Sequence, residues 1–325
     1  MITNNQPIVL SAKKVYKSFG NKEVLYDVNL EVARGQTVSI VGPSGCGKST
    51  FLKMVLGTIE PTRGTVSCIG NRGNLVNILK PARDRGIVYQ NYSLYPHLTA
   101  LQNVAIGLKF KETTTPQRFL PKYWFQTRKD HIRWATEWLE KMGLHQALHL
   151  YPQEMSGGMR QRVAIAQALI MEPTILLLDE PFGALDEATR EELQKMLLGL
   201  YDENVQAINN GEDAKYTILM VTHELHEAFY VADRVVGLSQ FWDWREELGQ
   251  DVDNGPATII YDKVAPVYRP NDLADKMAFD SLIKEIREIV FDPKVLHDRH
   301  KNITFWTSVK NGEGNRIFLK KEENG

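Results

Sequence analysis

The nine residues Gly42-Pro43-Ser44-Gly45-Cys46-Gly47-Lys48-Ser49-Thr50 constrain this chain more than any other segment. They satisfy G-x-x-x-x-G-K-[ST], a glycine-rich loop whose backbone N–H groups wrap phosphate. The flanks supply the context such a loop needs. A mostly apolar run, Val38-Ser39-Ile40-Val41, reads as the strand before it, and Phe51-Leu52-Lys53-Met54-Val55-Leu56 as the helix after it. The N-terminus of that helix adds the positive end of its dipole. Lys48 then reaches the β- and γ-phosphates, and the Ser49 hydroxyl is a ligand for Mg²⁺. The loop does not say what the energy of the triphosphate is used for.

Composition narrows the classes. The chain has 325 residues, enough for one large domain with an appendage or for two domains, and 43% are hydrophobic, enough for a packed core. Lys+Arg (39) and Asp+Glu (40) nearly cancel, so the basic footprint of a nucleic-acid binder is absent. The two cysteines, Cys46 in the loop and Cys68 in a strand-like run, are expected to stay reduced in a cytosolic setting. No run approaches the ~18 apolar residues of a membrane span. Met1-Ile2-Thr3-Asn4-Asn5-Gln6 has neither a basic start nor an apolar stretch, so no signal peptide is expected.

Residues 8 to 41 alternate apolar and polar, with turns at Gly20-Asn21 and Arg34-Gly35, and read as antiparallel strands; residues 63 to 70 add another. Much of residues 98 to 172 is helical in period, with Ile132, Ala135, Leu139 and Met142 on one face. Ile175-Leu176-Leu177-Leu178 and Thr217-Ile218-Leu219-Met220-Val221 are short uninterrupted apolar runs, as in parallel strands covered on both faces. The expected class is α/β, split by a helical insert. Residues 110 to 130 and 202 to 215 read as surface insertions. Beyond 240, a helix is expected from about Asp272 to Val290, and a hairpin around Asn311-Gly312.

Three further segments carry chemistry. Asp179-Glu180 ends the apolar run at 175 to 178, at the sheet edge where open α/β folds bind ligand. Asp179 is placed to hold Mg²⁺ and Glu180 to act as general base; alone, the pair fits an acidic helix cap equally well. Met155-Ser156-Gly157-Gly158-Met159 opens a helix in which Ser156 can cap and the glycines let an anion approach.

In order and spacing these segments resemble the nucleotide-binding subunit of ATP-binding cassette (ABC) transporters, over roughly residues 8 to 240. The methionine at 159, where the family usually has glutamine, is similar to the nitrate, sulfonate and taurine importer branch. The resemblance implies an ABC cassette of the P-loop NTPase class: an antiparallel β subdomain, a mostly parallel core sheet and a helical subdomain at about 92 to 172, followed by a C-terminal extension at 241 to 325. It implies that Gly42 through Thr50 bind ATP and that Ser156, Gly157 and Gly158 complete the ATP site of a partner subunit. Gln90, in Tyr89-Gln90-Asn91, would reach Mg²⁺ and the attacking water, and His223 would contact the γ-phosphate. Asp186, in Gly183-Ala184-Leu185-Asp186, would communicate across the dimer, and Phe19 would stack on adenine, with Tyr16 the rival. Tyr92-Ser93-Leu94-Tyr95-Pro96-His97-Leu98 resembles the surface that grips a membrane permease. Gln167 replaces a family arginine. The implied protein is an ATPase that pairs head to tail around two ATP molecules on the inner face of the cell membrane. It would serve an importer with separate permeases and a substrate-binding protein. An exporter subunit would share every catalytic residue; a soluble ABC machine would carry coiled-coil arms, tandem cassettes or basic surfaces.

Overall fold

The computed structural model describes residues 6–70, 73–112, 121–183, 185–244, 247, 255–265 and 273–311. The chain forms two compact units, one built from Met1–Ala82 and Leu197–Gly325, the other from Arg83–Met196.

The first unit opens with β1 (Ile8–Phe19) and β2 (Lys22–Ala33), an antiparallel pair turned at Gly20. β3 (Thr37–Val41) is buried at every position, and α1 (Lys48–Leu56) follows the phosphate loop. Gly57, in the left-handed region, ends α1: its N–H returns to Lys53 O and Met54 O, and Thr58 N–H to Lys53 O. β4 (Arg63–Ile69) pairs with β1, and β5 (Leu75–Asn77) with β4, giving the antiparallel sheet β2-β1-β4-β5.

In the second unit β6 (Arg85–Val88) lies parallel to β7 (Ile175–Asp179). Between them run α2 (Ala100–Glu112), α3 (Pro121–Lys141) and α4 (Gly157–Leu169). The expected insertion at 110 to 130 is corrected in part. Its first residues end α2 and Pro121-Lys122-Tyr123-Trp124-Phe125 begin α3, while Thr113-Thr114-Thr115-Pro116 lie outside the described residues.

α5 (Glu187–Asn209) corrects the insertion expected at 202 to 215: Asp202, Glu203 and Asn204 are helical, and the loop is confined to residues 210–217. The polar Asn204 is only 1% exposed. Its amide donates to Gly35 O and Tyr216 O, and its carbonyl accepts from Lys215 and Tyr216 N–H. A buried amide with every bond met is a pin, not a loop residue.

The first unit then resumes with β8 (Ile218–Thr222), α6 (Leu225–Val231), β9 (Arg234–Ser239) and β10 (Thr258–Val264). α7 (Leu273–Ile286) runs into a π turn at Arg287–Phe291; β11 (Asn302–Ile303) and α8 (Phe305–Lys310) follow. Its second sheet has the order β11-β10-β9-β3-β8. β3 is parallel to β8 and β9, so the antiparallel expectation for residues 8 to 41 stops at β2. Asn311 caps α8 rather than turning a hairpin, and Gly312 lies outside the described residues.

Residues beyond 240 share the core of the first unit. Val41, Phe229, Trp242, Trp244, Tyr261, Phe279 and Val290 belong to one buried cluster. Arg234, 1% exposed, forms a two-pronged pair with Asp262 at 2.7 and 2.6 Å and lies 3.9 Å from the Phe305 ring centre. A planar guanidinium meeting a carboxylate fork and a ring face ties β9, β10 and α8 together.

Candidate functional site

The first unit supplies the phosphate loop. Gly42 has no room for a side chain: a Cβ there would lie 2.0 Å from Leu238 O. Gly47, at φ +106, is the N-cap of α1, and no side chain caps that helix. Lys48 is 6% exposed, and its ammonium donates to Gly42 O at 2.8 Å and Pro43 O at 3.0 Å, folding back over the loop. Ser44, Gly45 and Ser49 are exposed and Pro43 and Thr50 half-buried, so the mouth of the loop is open. Cys46 is buried, and its thiol donates to Leu238 O at 3.3 Å. Burial pushes that thiol above its ordinary value, so it stays neutral and plays a packing part.

Two other expected residues lie in this unit. Phe19, at the end of β1, is 49% exposed with the Lys17 ammonium 5.0 Å from its ring centre. Tyr16, its rival, is covered: Arg63 lies 4.2 Å from its ring centre and Tyr26 meets it edge-on at 5.1 Å. His223 follows β8 with its side chain 44% exposed, 3.8 Å from Glu224 Oε1. The turn beneath it is held by Thr222, whose hydroxyl donates to Glu227 Oε2 at 3.2 Å and accepts from Glu224 N–H at 3.1 Å. Sequence reasoning missed this support; the Thr222…Glu227 spacing, a hydroxyl just ahead of a short helix, was its only signal.

The second unit brings Glu180 and Gln90 together. Asp179 ends β7, and Glu180 turns the chain at φ +48, a left-handed conformation costly for a residue with a side chain. Gly183 N–H returns to Glu180 O at 3.3 Å. A Cβ on Gly183 would lie 3.3 Å from Gln90 Nε2 and 3.9 Å from Glu180 Oε2, so both side chains gather about that glycine. Ala184, the next residue, lies outside the described residues.

In the same unit Ser156 caps α4 by accepting Met159 N–H at 3.2 Å. Gly157 is half-buried and Gly158 buried, and a Cβ on Gly158 would lie 1.7 Å from Thr189 Cγ2. Thr189 binds Asp186, donating its N–H to Oδ1 at 3.0 Å and its hydroxyl to Oδ2 at 2.8 Å. Those donors hold the Asp186 carboxyl below its ordinary range. The glycine turn and Asp186 are thus joined through one threonine, a link the sequence did not reveal. Residues 92–98 form a turn with Tyr92 and Ser93 at φ +63 and +45. The fully buried Asn103 amide holds it through Tyr95 N–H, Tyr95 O and Leu98 O.

A family profile described as ABC transporter matches residues 25–183. The aliphatic sulfonates import ATP-binding protein SsuB of Bacillus anthracis is 39% identical over 70% of this chain and 78% of that protein. This chain belongs to the ABC transporter ATP-binding family. The nitrate import ATP-binding protein NrtD of Synechococcus elongatus is 40% identical over 76% of each chain. Among solved structures, the dimeric post-hydrolysis state of the ATP-binding cassette MJ0796, bound to ADP and Pi, matches with a TM-score of 0.55. It is 32% identical over 70% of this chain and 93% of that one. The chain is accordingly an ATP-binding cassette that hydrolyses ATP. Among the described residues no helix is long and apolar enough to cross a membrane.

Proposed function

We propose that this cassette energises import of a small polar solute, with the residues above in the following roles. Backbone N–H groups from Gly42 to Thr50 and the start of α1 bind the ATP phosphates. The Lys48 ammonium exchanges its two carbonyl partners for phosphate oxygens. Phe19 offers the adenine an exposed ring face, and His223 a donor to the γ-phosphate. The Ser49 hydroxyl, the Gln90 amide oxygen and the Asp179 carboxylate are hard oxygen donors, the set that suits Mg²⁺. Mg²⁺ would neutralise charge on the β- and γ-phosphates.

Glu180 accepts a proton from the attacking water as its oxygen bonds to the γ-phosphorus; the bond to the leaving oxygen breaks, giving ADP and phosphate. Gln90 orients that water. The gathering of Glu180 and Gln90 about Gly183 is the observation that carries this reading. A second cassette, held head to tail, contributes its own Ser156, Gly157 and Gly158 to each ATP, and Asp186 steadies that turn through Thr189. Permease subunits dock on residues 92–98, which present exposed Tyr95 and His97. A substrate-binding protein delivers the solute, and the cassette sits on the inner face of the membrane. Import is supported by the relatives named as sulfonate and nitrate import ATP-binding proteins.

The test is reconstitution with the permeases. ATP-dependent solute uptake that stops with Glu180→Gln is expected; ATP-driven efflux would overturn the direction of transport.

A further inference from the structure

The phosphate loop rests on two walls. On one side Gly42 presses on the Leu238 carbonyl, which also accepts the Cys46 thiol at 3.3 Å. On the other, a Cβ on Gly47 would lie 2.8 Å from Leu25 Cδ2 and 3.1 Å from Val24 Cγ1. One stretch beyond residue 240 is paired with both walls. Leu238 in β9 stands opposite Ile259 in β10. Two residues earlier, Ala257 O accepts Tyr26 N–H and Ala257 N–H donates to Val24 O, each at 2.9 Å.

That stretch is itself clamped. The fully buried Trp242 donates its indole N–H to Pro256 O at 2.8 Å and stacks on Tyr26, with ring centres 5.3 Å apart. Arg299 closes the arrangement. Its Nη1 donates to Asp27 Oδ2 at 3.0 Å, its Nε to Glu247 Oε1 at 2.7 Å, and its guanidinium lies 5.6 Å from the ring centres of both Tyr26 and Trp242. The side chains of Arg299 and Asp27 are 13% and 18% exposed, so solvent screens this pair weakly. Asp27 stands at φ +42, in the left-handed region that Asp and Asn adopt more readily than most residues.

We propose that the segment beyond residue 240 is a brace for the phosphate loop, with Arg299 the positioning residue that fixes residues 24–27, and hence the wall at Gly47, against Ala257. The brace acts on nucleotide affinity and leaves the hydrolytic step alone, because Arg299 touches neither Glu180 nor the loop itself. It makes ATP binding sensitive to whatever loosens or tightens the C-terminal segment. The proposal rests on the assignment of ATP to this loop.

The experiment uses the full chain. Binding of a non-hydrolysable ATP analogue is followed by calorimetry, and KM and kcat for ATP are measured, in the parent, Lys48→Ala, Arg299→Ala, Arg299→Lys and Asp27→Asn. The parent must bind the analogue and Lys48→Ala must lose it; otherwise the loop assignment fails rather than the brace. Arg299→Ala is expected to weaken binding about five- to tenfold and to raise KM alike, with kcat at saturating ATP within twofold of the parent. Arg299→Lys, a point charge that cannot bridge both carboxylates, should fall between. Asn tolerates the left-handed backbone at 27, so Asp27→Asn removes the ion pair without adding strain; with the Glu247 bond and both ring contacts kept, it should weaken binding in the same direction but less than Arg299→Ala. If Arg299→Ala does not fold, Arg299→Lys and Asp27→Asn carry the same readouts. Unchanged affinity in the folded variants, or a fall in kcat at constant KM, would overturn the brace.

Discussion

α1 and α4 both begin at glycine-bearing turns, but their first N–H groups are treated differently. Gly47 leads into α1 from the left-handed region with no side-chain cap, and the nearest cation, Lys48, is parked on two loop carbonyls. α4 is capped from within, by Ser156 on Met159 N–H, and its second glycine is wedged against Thr189. An uncapped start with a lysine held on loop carbonyls leaves N–H donors open, which phosphate would complete under the proposed function. A capped start is finished before any ligand arrives, so it can present a set surface to an ATP held elsewhere. On the proposed reading, the first turn binds phosphate and the second meets the ATP of a partner cassette.

The largest effect should separate the two. Lys48→Ala removes a charge-assisted phosphate contact and is expected to cost about 10- to 100-fold in ATP affinity by equilibrium binding. An equal loss on changing Ser156 would erase the distinction. Gly158→Ala should destabilise the chain by about 1–3 kcal/mol in denaturant melts, because the new methyl overlaps Thr189 Cγ2. Adding Thr189→Ser removes that methyl, keeps the hydroxyl for Asp186, and should recover most of the loss.

A pH effect at neutral to mildly alkaline pH belongs to the phosphate-loop unit. Burial pushes the Asp233 carboxyl, just ahead of β9, up to about 8. Unfolded, it titrates near ~3.9, so the folded state holds the proton more tightly. Its contribution is therefore full below about pH 4 and lost as pH rises through about 8, at a slope of up to ~1.4 kcal/mol per pH unit. Asp233→Asn should flatten stability across that window; an unchanged profile would refute the assignment. The smallest effect is expected from Ser156→Ala, about 1 kcal/mol of stability with monomer ATP affinity unchanged.

Segments whose local pattern agrees with their final setting were legible in the sequence. β3, β7 and β8 are short apolar runs ending in chemistry-bearing residues, and the loop at 42 to 50 carries its own geometry in its glycines. What was hidden depends on partners far along the chain. Asn204 looks like a loop residue until Gly35 and Tyr216 take up its amide. The wedge of Thr189 on Gly158, and the tie from Arg299 to Asp27 across 272 positions, leave no periodic trace. Glu180 was proposed from its strand end and Gln90 from the family resemblance, but their meeting about Gly183 is visible only in the fold.

On the proposed reading, Glu180 drives hydrolysis of an ATP shared between two cassettes. It is tested most directly by the mass of Glu180→Gln with ATP bound, measured by light scattering alongside turnover. A stable dimer carrying two ATP molecules is expected, with turnover reduced by about 10²–10⁴-fold. A monomer that binds ATP, or a variant that hydrolyses it at the parent rate, would contradict it.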